Sequence, residues 1–142
     1  MSITIRQLEM IDYEKYKIMI NEFRETDFTY EEFSNTLNYI STHSEIWVIE
    51  NNSDIIATGT IIYEQKFIFN NCKFAHIEDI CVKQSYRKLG FGKLIINHLL
   101  IQAKLHKCYK VTLVCNEYNI QFYEKCGLEK RGFQLSQLIS NL

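Results

Sequence analysis

The stretch Cys81-Val82-Lys83-Gln84-Ser85-Tyr86-Arg87-Lys88-Leu89-Gly90-Phe91-Gly92-Lys93 runs from an apolar segment through a basic turn with two glycines into a region of helical period. That is how a buried strand feeds an anion-binding turn. The amides at a helix N-terminus lack intrahelical acceptors, the helix dipole favours negative charge there, and glycine lets a phosphate approach the main chain closely. Arg87, Lys88 and Lys93 can add charge-assisted contacts. Gly-x-Gly by itself is a weak signal that an ordinary strand-to-helix turn also satisfies. Two other phosphate motifs are excluded by spacing. A P-loop needs a longer glycine interval ending in Gly-Lys-Ser/Thr, and a dinucleotide fingerprint needs a third glycine and an acidic residue on the next strand.

Downstream, Gly90 to His106 has helical character with Leu94, Leu99, Leu100 and Leu105 available to a core. Val111 to Cys115 reads as a strand, Asn119 to Cys126 as a short helix with Gly127 its left-handed stop, and Gly132 to Ile139 as a final strand. Upstream, Phe74 to Val82 reads as a strand, although Glu78-Asp79 places two carboxylates where a central strand should be most apolar. Ile46 to Ile49 and Ile55 to Tyr63 form a hairpin around the polar turn Asn51 to Asp54. Thr29 and Glu32 have the spacing of a capping box for a helix to Ile40 whose Phe33, Leu37 and Ile40 share one face. Ile3 to Leu8 alternates as a half-buried strand does, and Asp12 offers a cap for Tyr13 to Phe23. The pattern predicts an α/β fold, and the length of 142 residues predicts one domain over residues 1–142.

The chain has 142 residues, 16 basic and 17 acidic, for a net charge of −1. That balance lacks the basic footprint that holds a nucleic-acid backbone, so no nucleic-acid partner is expected. The apolar runs are too short to span a bilayer, and the amino terminus lacks a signal core, which points to a cytoplasmic protein without a membrane span. Cys72, Cys81, Cys108, Cys115 and Cys126 are an odd set without paired spacing, so free thiols are expected and no metal site.

Arg87-x-x-Gly90-x-Gly92 resembles the Arg/Gln-x-x-Gly-x-Gly/Ala pyrophosphate signature of the GNAT superfamily of N-acetyltransferases. His76-Ile77-Glu78-Asp79-Ile80-Cys81-Val82, Cys108-Tyr109-Lys110-Val111-Thr112-Leu113 and Asn119-Ile120-Gln121-Phe122-Tyr123-Glu124-Lys125-Cys126-Gly127 narrow the resemblance to the glucosamine 6-phosphate N-acetyltransferases of hexosamine synthesis, on the way to UDP-GlcNAc. It is strong from about His76 to Leu128 and weaker elsewhere. Two departures concern the acceptor: Val114 stands where family members carry an acid, and Leu138 where they carry a basic residue.

The resemblance implies a GNAT fold with splayed central strands, acetyl-CoA as co-substrate, and direct transfer to the 2-amino group of glucosamine 6-phosphate. It places the main chain of Ile80, Cys81 and Val82 along the pantetheine arm, and Arg87, Lys88, Leu89, Gly90, Phe91, Gly92 and Lys93 around the pyrophosphate. Asn119 becomes a coenzyme contact, with helix capping as its ordinary alternative. Tyr123 becomes the donor to the departing thiolate, with core packing as the alternative and Phe122 the better core candidate. Glu78 and Asp79 contact the sugar, with Glu78 ordering hydroxyls or a proton-accepting water; a regular strand would point the two to opposite faces. Arg24, Lys66 and Lys110 are cations for the phosphate, with Arg131 a further substitute for the missing arginine. The resemblance also implies a homodimer that exchanges its terminal strand. Another amine acceptor, a non-catalytic acetyl-CoA sensor and a pure interaction domain are the competing readings.

Overall fold

In the computed structural model, which describes residues 2–142, five strands form one sheet in the order β1-β2-β3-β4-β5. They are β1 (Ile3–Gln7), β2 (Ser44–Asn51), β3 (Asp54–Gln65), β4 (Lys73–Val82) and β5 (Lys110–Leu113). The first three pairings are antiparallel and β4·β5 is parallel. Helices α1 (Tyr13–Asn21) and α2 (Tyr30–Ile40) precede the β2–β3 hairpin, and α3 (Ile68–Asn71) is a single turn between β3 and β4. The helix α4 (Phe91–Leu105) makes the crossover to β5, and α5 (Ile120–Lys125) follows it. A parallel neighbour requires such a crossover.

Two apolar layers clamp the sheet. Met19 of α1 and Phe33 and Leu37 of α2 pack with Ile46, Val48, Ile55 and Cys81 on one side. On the other, α4 brings Phe91 and Ile95 against Ile49, Ile56 and Ala57, and Ile96, Leu99 and Ala103 against Ile61, Ala75 and Ile77. The inward stripe of α4 is therefore Phe91, Ile95, Ile96, Leu99 and Ala103; Leu94 and Leu105, expected in the core, are exposed. The box expected at α2 is present: Glu32 donates its amide to Thr29 Oγ1 at 3.1 Å, and the Thr29 amide donates to Glu32 Oε2 at 2.7 Å.

Three expectations are corrected. Asp12 does not cap α1: its backbone is already helical, and its carboxylate instead accepts both Arg6 terminal nitrogens and the Glu9 amide. β5 ends at Leu113 and not Cys115, because β4 and β5 part there. Residues 132–138 form no strand, and Ile139–Asn141 is a 3-10 turn. An added strand needs a neighbour with unpaired main-chain groups, and Phe133, Leu135, Leu138 and Ile139 stand exposed without one. Among the described residues, no helix is long and apolar enough to cross a membrane.

Candidate active site

The parallel pairing of β4 with β5 begins at Phe74↔Lys110 and stops at Ile77↔Leu113, while β4 continues to Val82. From Glu78 onward β4 therefore has no sheet partner on its β5 side. A cleft of about 310 Å³ opens where the strands diverge, and its walls include Glu78, Asp79, Ile80, Asn119, Tyr123 and Arg24. Residues distant in sequence are brought to one place by the end of a strand pairing.

The carboxylates reach the cleft through an irregularity. Thr58 pairs with Cys81 and Thr60 with Glu78, so Asp79 and Ile80 both oppose Gly59. This is a β-bulge, with Asp79 in the left-handed region at φ 53°. The extra residue breaks the alternation that would have separated Glu78 from Asp79, and both are exposed along the same cleft. On the α1 side lies Tyr16, whose phenol is pushed up to about 12, first by burial and then by the Asp79 charge.

Tyr123 is half-buried on α5, and its hydroxyl makes no hydrogen bond among the described residues. Burial, with smaller contributions from Cys115 and Cys126, pushes the phenol above its ordinary value, so it is an O–H donor at neutral pH. The relative placing of the two aromatics reverses expectation: Phe122 is 37% exposed and lies against the first turn of α4, where a methyl on Gly92 would fall 3.2 Å from Phe122 Cζ. Tyr123 packs at the margin of the α4 core instead. At the far end of α5, Gly127 at φ 97° and the Leu128 amide donating to the Tyr123 carbonyl at 3.2 Å close the helix. Asn119 occupies the N-cap position of α5 without a side-chain cap bond, so its amide group is available to the cleft.

At the turn into α4, Gly90 caps the helix at φ 90°, a conformation glycine adopts without strain. Leu94 donates to the Gly90 carbonyl at 3.0 Å, so the amides of Phe91, Gly92 and Lys93 precede the first intrahelical bond. Those of Lys88, Leu89 and Gly90 likewise have no acceptor among the described residues. Arg87 is exposed and donates Nε to the Val82 carbonyl at 3.1 Å, which fixes its guanidinium beside the end of β4. Amides, an arginine and lysines at one helix start fit a pyrophosphate.

The other cations separate. Arg24 lines the cleft, its guanidinium 4.8 Å from the Phe23 ring. Lys66 and Lys110 lie at the opposite end of β4, their ammonium groups 4.9 and 4.7 Å over the Phe74 ring. The β4·β5 register pairs Lys110 with Phe74, before the strands part. Arg131 pairs with Glu129 at 2.8 Å outside the cleft. Phe23, Cys115, Asn116 and Gln134 also line the cleft and were not anticipated; nothing in their local sequence pattern marks them. His76 is structural, its ring nitrogens 2.7 Å from Thr112 Oγ1 and 3.0 Å from Glu64 Oε1. All five cysteines are free, and burial pushes the Cys81 thiol up, away from a nucleophilic thiolate.

A mixed sheet in which β4 parts from β5 and then leads into a helix start with free amides suits a ligand with a phosphate-bearing tail. The sequence matches the acetyltransferase (GNAT) family over residues 4–128, and the chain belongs to that family. Among its relatives are glucosamine 6-phosphate N-acetyltransferase 1 of Dictyostelium discoideum, 38% identical over 140 residues covering 94% of this chain and 89% of that protein, and the glucosamine 6-phosphate N-acetyltransferase of Arabidopsis thaliana, 36% identical with 94% of each covered. The crystal structure of the Arabidopsis thaliana enzyme superposes with a TM-score of 0.93 at 34% identity, covering 98% of this chain and 99% of that one. The relationship thus extends well beyond the stretch from His76 to Leu128.

Proposed function

We propose that the chain transfers the acetyl group of acetyl-CoA to the 2-amino group of glucosamine 6-phosphate, giving N-acetylglucosamine 6-phosphate and CoA. The observation that carries this reading is the parting of β4 from β5 after Ile77↔Leu113, which opens a slot between Glu78, Asp79 and Ile80 on one side and Asn119 and Tyr123 on the other. The names of relatives aligned along almost the whole chain support the acceptor. Acetyl-CoA, when bound, supplies the thioester carbonyl and the thiolate leaving group.

The chain's own groups divide the remaining tasks. Residues 88–93 hold the pyrophosphate by their amides, with Arg87, Lys88 and Lys93 adding charge. The edge of Ile80, Cys81 and Val82, which has no strand on its β5 side, aligns the pantetheine arm as an added strand would, and Asn119 holds it from the α5 side. Holding both reactants in one slot removes the entropic part of the barrier. Glu78 accepts the amine proton, directly or through water, and Asp79 orients the sugar. Tyr123 donates its hydroxyl proton to the departing sulfur.

Arg24 is the cation in the cleft suited to the acceptor phosphate. Arg24→Ala should raise the acceptor KM about tenfold or more while kcat changes little, as loss of a charge-assisted hydrogen bond does. An unchanged KM in steady-state kinetics would remove Arg24 from the acceptor site.

The decisive assay is thiol release from acetyl-CoA with glucosamine 6-phosphate beside glucosamine, a polyamine and an amine-terminated peptide. Turnover confined to the phosphosugar is the expected result. Coenzyme binding without that turnover would sink the acceptor reading, and preferred turnover of another amine would transfer it there. The uncharged Val114 in the cleft wall makes the panel informative.

We also propose a homodimer in which residues 132–139 add to the partner's sheet. Phe133 and Leu135 are each 94% exposed, more than an apolar tail tolerates in isolation.

A further inference from the structure

The bulge in β4 lies opposite Gly59 of β3. Along β3, Ala57 and Ile61 face α4, and Gly59 between them faces α4 as well. A methyl placed on Gly59 would fall 2.6 Å from Ile80 Cδ1, 2.9 Å from Leu99 Cδ1 and 3.3 Å from Ile95 Cγ1. Ile80 thus occupies the space of an absent side chain, wedged between the sheet and α4. Leu99 and Ile95 are fully buried, so a new carbon at Gly59 has to displace the terminal methyls of Ile80 and Leu99 from their present packing.

The packing also records the phase of the strand. Ile77 contacts the α4 layer, Cys81 the α1–α2 layer, and Val82 the α4 layer again. Strict alternation from Ile77 would put Ile80 on the α1–α2 side and Cys81 under α4. Ile80 instead packs with the α4 layer. The slip is taken up at Asp79, whose left-handed backbone is strained for a non-glycine residue and must be held by its surroundings. Gly59 is buried in an ordinary strand conformation, so what it contributes is space.

We infer that Gly59 is a positioning residue: the gap left by its missing side chain seats Ile80, the seated Ile80 anchors the bulge, and the bulge holds Glu78 and Asp79 together in the cleft. Its kinetic consequence rests on the acetyl-transfer reading. Its structural consequence does not.

The test compares wild type, Gly59→Ala and Gly59→Ala/Ile80→Val by acetyl-transfer kinetics, thermal denaturation and amide hydrogen exchange at residues 78–81. Gly59→Ala should lower kcat about tenfold or more, since small displacements of reacting groups have effects of this order, and should speed exchange at the bulge. Ile80→Val removes the Cδ1 methyl that collides, so the double variant should recover wild-type exchange at the bulge. Wild-type kcat and exchange in Gly59→Ala would overturn the inference. So would a double variant that regains thermal stability but not exchange protection at residues 78–81, because Gly59 would then serve stability alone. If Gly59→Ala does not fold, a folded double variant with wild-type exchange supports the seat, and an unfolded one overturns it. A wild type inactive on every amine would sink the acetyl-transfer reading, while the exchange comparison would still decide the seat.

Discussion

Tyr123→Phe should lower kcat about a hundredfold or more, the range general-acid catalysis contributes, with the KM for acetyl-CoA nearly unchanged. The substitution removes one oxygen from a half-buried ring whose hydroxyl has no hydrogen-bond partner among the described residues, so packing against the α4 core and the closure of α5 at Gly127 persist. The amides proposed to hold the pyrophosphate belong to a different element, the start of α4, which is why binding and chemistry should separate. The pH profile supplies an independent sign. Burial raises the phenol pKa, so the donating form predominates at neutral pH and is lost only above the ordinary tyrosine value of 10.0. Wild-type kcat should therefore hold its tyrosine-dependent part to about pH 10 and lose it above, whereas Tyr123→Phe should lack that limb. A kcat within threefold of wild type would assign the thiolate's proton to another group.

The largest effect on stability is expected far from the cleft, at Asp12→Ala. Asp12 is 3% exposed, and its oxygens accept Arg6 Nη1 at 2.8 Å, Arg6 Nη2 at 2.9 Å and the Glu9 amide at 2.8 Å. Arg6 also donates to Glu50 at 2.6 Å, tying β1 and the approach to α1 onto β2. Removing the buried carboxylate leaves the Glu9 amide unpaired and the guanidinium half-compensated, at a cost of about 2–3 kcal/mol, or a fall in Tm of roughly 5–10 °C. The pH sign follows from the carboxyl's environment. Burial opposes its ionisation, but the Arg6 hydrogen bonds, the Glu9 amide and the Arg6 charge outweigh burial and hold the pKa below 3.8. A depressed folded-state pKa contributes stability that is present above the unfolded value and lost as pH falls through the folded one. The wild-type Tm should thus drop faster than the variant's on acidification below about pH 4, and parallel curves would show that the pair adds nothing to stability.

Much of the fold was legible because local rules and tertiary structure agree. The capping box at Thr29 and Glu32, the β2–β3 hairpin, and the strand, basic turn and helix from Cys81 onward depend on residues near one another in the chain. So does the turn into α4, since helix-start amides and Gly90 need no distant partner. Tyr123 and Asn119 were legible only through motif resemblance, because a tyrosine and an asparagine on a short helix have no distinguishing local pattern. Phe122 was misjudged beside Tyr123 because burial on a short helix depends on what lies across from it, here the first turn of α4.

The sequence by itself determined the order of helices and strands from β1 to α5, apart from the single turn α3, and the basic, glycine-bearing turn into α4. Only the tertiary structure decided where β4 and β5 part, that Asp79 and Ile80 share one partner in Gly59, and that Arg24 reaches the cleft while Lys66 and Lys110 stay on Phe74. It also decided that residues 132–138 stay unpaired in the single chain. Register, bulges and strand addition are set by which side chains from distant segments compete for the same space and which main-chain groups find a partner, and neither is written in any local stretch of residues.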